Sequence, residues 1–241
     1  ARLKRCPFTQ GGRDLWPAFA VALVVLKNQT LIRLSQWLER YLYKHADHVM
    51  VNSPGFIDHV KARGAQNVTL IPNGADPEMF NPQADGHSFR SNNGITDKFV
   101  VVYAGAHGLS NDLGVVLEAS ELLQDEHRVQ VVLVGSGKDK SHLQELAQKR
   151  GLKNLLFLPP VPKSEMSQVL AGADACLAIL KPIELYKTTY PNKVFDYMAA
   201  GRPVILAIDG VIREVVESAQ AGLYVPPGQP PALAQAIEFL S

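Results

Sequence analysis

Apolar positions change their rhythm along this chain. From about residue 98 they come as short continuous runs, over 99–103, 129–134, 155–158, 175–180, 204–207 and 222–225. Runs of that length bounded by turn residues read as strands. Between them lie stretches at helical period, over about 111–124, up to about 149, and over 164–171, 191–200, 212–217 and 231–241. Strands without polar alternation are covered on both faces. Repeated strand–helix alternation therefore predicts an α/β fold with a doubly wound parallel sheet.

The first part is less regular. Residues 1–14 are basic and carry no periodic pattern, and an apolar segment over 19–26 reads as a helix. Over 31–45, Leu31, Leu34, Leu38 and Leu42 fall on one face, predicting a core stripe, while Arg33, Glu39, Arg40 and Lys44 fall on the other. A strand over 48–52 follows. Ser53 is placed to cap the next helix, with Pro54 at its first position and the end near Gly64. Residues 68–71 read as a strand closed by Pro72-Asn73-Gly74. Residues 77–97 are rich in Pro, Asn, Asp, Gly and Ser and mark a boundary. The expected division is 1–82, a connecting segment over 83–97, and 98–241.

Composition narrows the class. Of 241 residues, 46% are hydrophobic and 20% charged, an ordinary globular balance that argues against disorder. A formal charge of +1 argues against nucleic acid as a partner. The charge is unevenly spread: residues 1–82 hold 10 Lys/Arg against 6 Asp/Glu, and residues 83–241 hold 14 against 17. Cys6 and Cys176 are far apart and fit no metal-ligand spacing, and neither do the seven histidines. No metal site is expected. The apolar stretch over 15–26 is shorter than the ~20 residues of a membrane span. The sequence opens on Ala1 without a signal-peptide pattern and closes within a helical pattern, so it reads as a fragment.

In a doubly wound sheet, ligands bind in the loops outside the carboxyl ends of the strands. Three such loops carry candidate chemistry. Gly105-Ala106-His107-Gly108 follows a strand and opens a helix, which suits either a phosphate or merely a tight turn. Gly135-Ser136-Gly137 has the same logic but lacks the third glycine of a dinucleotide fingerprint. The third is the run from Tyr190 to Val204, where Pro191 suits a helix start and Gly201 its stop. Lys193 lies in the first turn, where the helix dipole disfavours a cation unless an anion is also present. Asp196 sits among Val194, Phe195, Tyr197 and Met198, and a buried carboxylate needs donors. Those donors are either Lys193, three residues away, or a sugar diol.

Several of these stretches resemble one family. Ala46-Asp47-His48-Val49-Met50-Val51-Asn52-Ser53, Ile71-Pro72-Asn73-Gly74-Ala75-Asp76 and Phe80-Asn81-Pro82 resemble the end of the N-terminal lobe of family 4 retaining glycosyltransferases. Tyr103-Ala104-Gly105, Val132-Leu133-Val134-Gly135-Ser136-Gly137 and the run from Lys193 to Val204 resemble successive parts of its donor lobe. Asp14-Leu15-Trp16-Pro17 resembles the branch that builds bacterial capsules, O-antigens and colanic-acid-like polymers. The resemblance implies a GT-B fold: a Rossmann-like donor lobe over 98–241, preceded by the C-terminal part of a second Rossmann-like lobe. It implies metal-independent hexosyl transfer from a UDP- or GDP-linked sugar to a glycan or lipid-linked acceptor, with retention of configuration. The setting implied is bacterial cell-surface polysaccharide synthesis in the cytoplasm, peripheral to the membrane. No cofactor is implied beyond the nucleotide-sugar substrate.

By position, the resemblance assigns Asp196 to the ribose hydroxyls and Lys193 to the diphosphate, and neighbouring Asn192 is counted among the donor-binding residues. It places Gly105, His107, Gly108, Gly135 and Gly137 in the phosphate loops, and Val161 and Lys163 near the base. Thr188 stands where the family signature has its first glutamate, and Asp196 where it has the second. No catalytic residue is assigned, because the family's catalytic His belongs to a front half this sequence lacks. The chain alone is therefore expected not to turn over. The segment over 15–26, with Lys4, Arg5, Arg13, Lys27 and Arg33, fits either a lipid-linked acceptor at the inner membrane or a core helix with solvated flanks. Two other functions fit the same fold, a nucleotide-sugar 2-epimerase and a non-catalytic nucleotide-binding module.

Overall fold

The structure is a computed structural model and describes residues 6–241. Lys4 and Arg5, two of the cations considered for a membrane contact, lie outside the described residues. The chain divides into two compact units. The first runs through Asn73 and takes in Ile183–Tyr190 and Gly210–Ile212; the second comprises Gly74–Pro182, Pro191–Asp209 and Arg213–Ser241.

In the first unit, β1 (Thr9–Gly12), α1 (Ala18–Ala22), α2 (Gln29–His45), β2 (His48–Val51), α3 (Ile57–Ala62) and β3 (Val68–Leu70) follow one another. The strands form a parallel sheet in the order β1-β2-β3. β1 arises where no periodic pattern pointed to a strand. Its sequence, TQGG, has no apolar signal, and its ladder with β2 from Thr9 opposite His48 to Gly12 opposite Val51 creates it. Leu15, Tyr43, Val49, Val51, Phe56 and Val60 form the core. The returning segment adds Tyr186, stacked on Phe19 at 5.4 Å.

Three local expectations need correction here. α1 stops at Ala22, short of Leu26, and the chain turns through Val24 at φ 58°. Ser53 does not cap the helix after it; its hydroxyl donates to the Thr188 carbonyl. The buried side of α2 is not the leucine stripe. Leu31, Leu34 and Leu38 are 51%, 58% and 45% exposed, while Ile32, Ser35, Glu39 and Tyr43 are buried. Glu39 goes inside because α3 and the residue after it neutralise it: its carboxylate meets His59 Nε2 at 2.9 Å and accepts from Arg63 Nε at 2.8 Å. A buried charge survives only with such partners.

The second unit holds α4 (His87–Asn92), β4 (Phe99–Ala104), α5 (Leu113–Leu122), β5 (Val129–Val134), α6 (Lys140–Lys149), β6 (Leu155–Leu158), α7 (Met166–Ala171), β7 (Ala175–Ile179), α8 (Asn192–Ala199), β8 (Val204–Ala207), α9 (Val211–Ser218), β9 (Gly222–Tyr224) and α10 (Pro230–Leu240). Segment 83–97 thus contains a helix. Arg90 anchors it, donating to the Gly172 and Lys98 carbonyls and pairing with Asp174 at 2.7 Å. The six strands are parallel in the order β6-β5-β4-β7-β8-β9. Val101, Tyr103, Val131, Leu133, Ala175 and Leu177 pack against α5, α6 and α10 on one face. Alternate residues such as Val100, Val102, Val132 and Cys176, also fully buried, belong to the other face, as a pleat with both sides covered requires. The chain reverses its direction of winding between β4 and β7. In a doubly wound sheet that reversal opens the crevice where ligands bind.

Candidate functional site

The loop after β4 starts at this reversal. Gly105 has φ 154° and Gly135, after neighbouring β5, has φ 150°, both in the range that favours glycine. The two loops touch backbone to backbone. Gly105 N–H donates to Val134 O and His107 N–H donates to Ser136 O, while Asp139 N–H donates back to His107 O. A Cβ on Gly135 would lie 1.9 Å from Gly105 O, and one on Gly137 would lie 2.1 Å from His107 O. These glycines are therefore required by loop–loop packing. The amides of Gly105 and His107 are already bonded, so of this loop those of Ala106 and Gly108 remain without a hydrogen-bond acceptor among the described residues. Lys140, which sequence reading passed over, locks the arrangement by donating to both Gly135 O and Leu158 O, at 2.7 and 2.6 Å.

His107 is fully buried, its ring 6.1 Å from Tyr103 and 6.2 Å from Phe157. Neither ring nitrogen has a hydrogen-bond partner among the described residues. Burial, then the nearby Lys140 and Lys193 charges, push its pKa down to about 4, so it stays neutral at physiological pH.

α8 brings the strongest electrostatic feature. Lys193 turns away from Asp196 and toward β4, where its Nζ sits 4.0 Å above the centre of the Tyr103 ring. A Cβ on Gly105 would come 2.7 Å from that nitrogen, so a side chain there would displace the ammonium from its seat. Lys193 has no carboxylate partner among the described residues. Burial alone pulls its pKa from the ordinary 10.5 down to about 7. One turn further along, the fully buried Tyr197 hydroxyl accepts from Ala104 N–H and donates to Ala104 O. Tyr197 and Lys193 thus dock one face of α8 onto β4 at two points. Nothing in the sequence alone singled out Tyr103 or Tyr197 as more than apolar core.

Asp196 is half-buried and forms no ion pair with Lys193. Burial raises its pKa, and the Lys163 charge, from the loop after β6, works against that rise. The structure therefore brings Lys163 to Asp196, 33 residues apart in sequence. Val161 is half-buried in the same loop, and Asn192 is exposed at the start of α8. Thr188 belongs to the first unit, where its hydroxyl donates to Leu185 O at 2.6 Å. Among the described residues no cluster of His, Cys, Asp or Glu could hold a metal ion. Cys176 is fully buried in β7, and burial pushes its thiol pKa up, as expected for a core cysteine.

In sum of charge, one end of the β4–β7 crevice carries a half-buried cation and loop amides that are unpaired among the described residues, a neutral histidine and the start of a helix. That combination attracts an anion. Asp196 and Lys163 lie beside it and offer an acceptor and a donor for a polar ligand.

Likeness to known proteins identifies the family. A model described as Glycosyl transferases group 1 matches residues 98–241. A protein of Escherichia coli (strain K12) described as a colanic acid biosynthesis glycosyl transferase, WcaI, is 26% identical, over 76% of this chain and 46% of its own length. D-inositol 3-phosphate glycosyltransferase of Corynebacterium jeikeium (strain K411) is 26% identical, over 93% of this chain and 59% of its own. Among solved structures, HepE of Anabaena in complex with UDP and glucose superposes with a TM-score of 0.79 at 20% identity, covering 99% of this chain and 62% of that one. The chain thus spans about half the length of the curated relatives it matches. The structural likeness establishes the GT-B type of α/β fold that the sequence suggested. The expectation that this chain alone is inactive finds no support in these likenesses, and they favour transfer over epimerisation or mere binding. The chain belongs to the group 1 glycosyl transferases.

Proposed function

We propose that the chain supplies the donor-binding part of a retaining glycosyltransferase that moves a hexose from a UDP- or GDP-linked donor to a glycan or lipid-linked acceptor in bacterial cell-surface polysaccharide synthesis. The observation that carries this reading is the half-buried Lys193 ammonium, seated on the Tyr103 ring with no counter-ion among the described residues, at the switch point of a Rossmann-like sheet. The diphosphate of the donor is that counter-ion. When the bond between the sugar's anomeric carbon and the diphosphate oxygen breaks, that oxygen gains negative charge. A preorganised cation stabilises the departing nucleotide more than the intact donor, which lowers the barrier. The acceptor hydroxyl forms the new bond to the same carbon on the same face and gives its proton to the departing diphosphate oxygen.

In this reading the loops holding Gly105, His107, Gly108, Gly135 and Gly137 line the phosphates, and Asn192 adds a donor at the start of α8. Asp196 accepts the ribose hydroxyls, while Val161 and Lys163 lie toward the base. Thr188 takes the place from which the family holds the donor sugar. Residues 98–241 form the donor lobe, 1–82 part of the acceptor lobe and 83–97 their connection. UDP in the HepE complex supports a uridine donor. WcaI, and an O-antigen chain mannosyltransferase C of Escherichia coli that is 23% identical over 90% of this chain and 57% of its own length, support the polysaccharide setting.

The reading also places the protein at the cytoplasmic face of the inner membrane. No helix of the described residues is long and apolar enough to cross a membrane. The exposed face of α2 carries Leu31, Leu34, Trp37, Leu38 and Tyr41, bordered by Arg33, Arg40 and Lys44. That is the make-up of a helix lying in an anionic interface. The contact thus shifts from residues 15–26, where Leu15 is fully buried, to α2.

Calorimetric titration with UDP, GDP and ADP, beside an Asp196→Ala variant, tests the donor site. Saturable binding of one nucleotide, weakened about 10–100-fold in the variant by loss of charge-assisted hydrogen bonds, is the expected result. Equal binding of a nucleotide by both proteins overturns the role given to Asp196.

A further inference from the structure

Lys193 is a long, flexible side chain, half-buried, and something must hold its charge in place. No carboxylate among the described residues does so. Tyr103 on β4 lies under its Nζ with the Gly105 backbone beside it, and the Lys193 charge reaches His107 in the loop after β4, whereas Lys140 acts on His107 and Lys163 on Asp196. His107 is neutral, and the Tyr197 hydroxyl is occupied at Ala104. The ring of Tyr103 is the attractive surface in contact, at 4.0 Å from Nζ to centroid. An aromatic face attracts a cation through its quadrupole, more strongly where water is excluded. The same residue reaches the phosphate loop, because its hydroxyl donates to Ala106 O at 2.7 Å. Tyr103 is fully buried and is not itself available to a ligand.

We infer that Tyr103 is the positioning residue of the anion site: its ring seats the Lys193 ammonium and its hydroxyl sets the loop at Ala106, so that cation and loop amides converge on one diphosphate. This rests on the donor-site reading above. The two functions of one side chain are separable. Phenylalanine keeps the ring and loses the loop bond. A pentafluorophenyl ring, slightly larger and also without the loop bond, reverses the quadrupole that attracts the ammonium, so its comparison with phenylalanine isolates the ring's contact with Lys193.

The test is calorimetric titration with inorganic pyrophosphate from pH 6 to 9. It compares wild type, Lys193→Ala, Tyr103→Phe and Tyr103→pentafluorophenylalanine. If Lys193→Ala binds pyrophosphate as wild type does, the donor-site reading itself fails. If that variant loses binding, the tyrosine variants decide this inference alone. Binding needs the protonated amine, so it falls as pH rises through the pKa of Lys193; the anion's own titration is common to all four proteins. Tyr103→Phe is expected to keep the wild-type pH midpoint and bind a few-fold more weakly. The perfluorinated variant is expected to bind at least about 10-fold more weakly, with its midpoint moved to lower pH. Superimposable pH profiles for the two variants overturn the inference, as does a shift in Tyr103→Phe equal to that of the fluorinated protein.

Discussion

Lys193→Met exposes the conflict between stability and binding that the site implies. Methionine keeps a flexible unbranched stem and removes the charge. Burial moves the pKa of Lys193 from 10.5 to about 7. At about 1.4 kcal/mol for each tenfold change, the buried ammonium costs on the order of 5 kcal/mol relative to the unfolded chain. Area places the side chain as half-buried, so solvent screens part of this and leaves on the order of 2–4 kcal/mol. Between the folded and unfolded values the unfolded chain holds a proton that the folded one lacks. Wild-type stability therefore rises as pH climbs from about 7 toward 10.5, and this contribution is flat below 7. Lys193→Met lacks that slope and is expected to be the more stable protein at pH 7. Urea denaturation at several pH values reads this directly. Circular dichroism is the right probe, because Trp16 and Trp37 both report on the first unit. Pyrophosphate should stabilise wild type but not the variant, by mass action on the folded state alone. Parallel stability curves between pH 6.5 and 9.5, or a variant less stable at pH 7, would refute the uncompensated cation.

Gly137→Ala forces a methyl group against the His107 backbone, so it should destabilise the second unit by about 1–3 kcal/mol or more and weaken pyrophosphate binding, read by thermal melting and calorimetry. Glu39→Gln leaves Arg63 and His59 without their carboxylate; with Arg63 partly solvated, a loss of about 2–3 kcal/mol in urea titrations is expected, and no change in nucleotide affinity. The double variant Leu34→Glu, Trp37→Glu should abolish cosedimentation with phosphatidylglycerol-containing vesicles without lowering the melting temperature, since both residues are more than half exposed. Absence of vesicle binding by the unaltered chain would remove the membrane contact.

The sequence by itself determined the second unit's elements from β4 onward, though not α4. Val129–Val134 is buried at every position, Gln130 included, so a run that is apolar but for one residue suffices to mark it as an interior strand. Pro191 and Gly201 bracket α8, with Gly201 at φ 66° after its end, because the backbone constraints of those two residues are local. The anomaly of a lysine in the first turn of α8 was legible for the same reason. Its resolution was not. Lys193 and Asp196 are near in sequence, yet the lysine's neighbour is Tyr103, supplied by the parallel sheet from 90 residues away. Glycines 135 and 137 could be read as cradling a ligand, and only the contact between two loops showed what fills the space beside them. The inward face of α2 depended on His59 and Arg63, since hydropathy cannot anticipate a charge neutralised from another helix. β1 needed its partner strand before its own residues meant anything. Periodicity encodes local burial within a segment; which charges are paired, which glycines are crowded and which strand ends form a crevice are set by residues distant in sequence, and only folding brings those together.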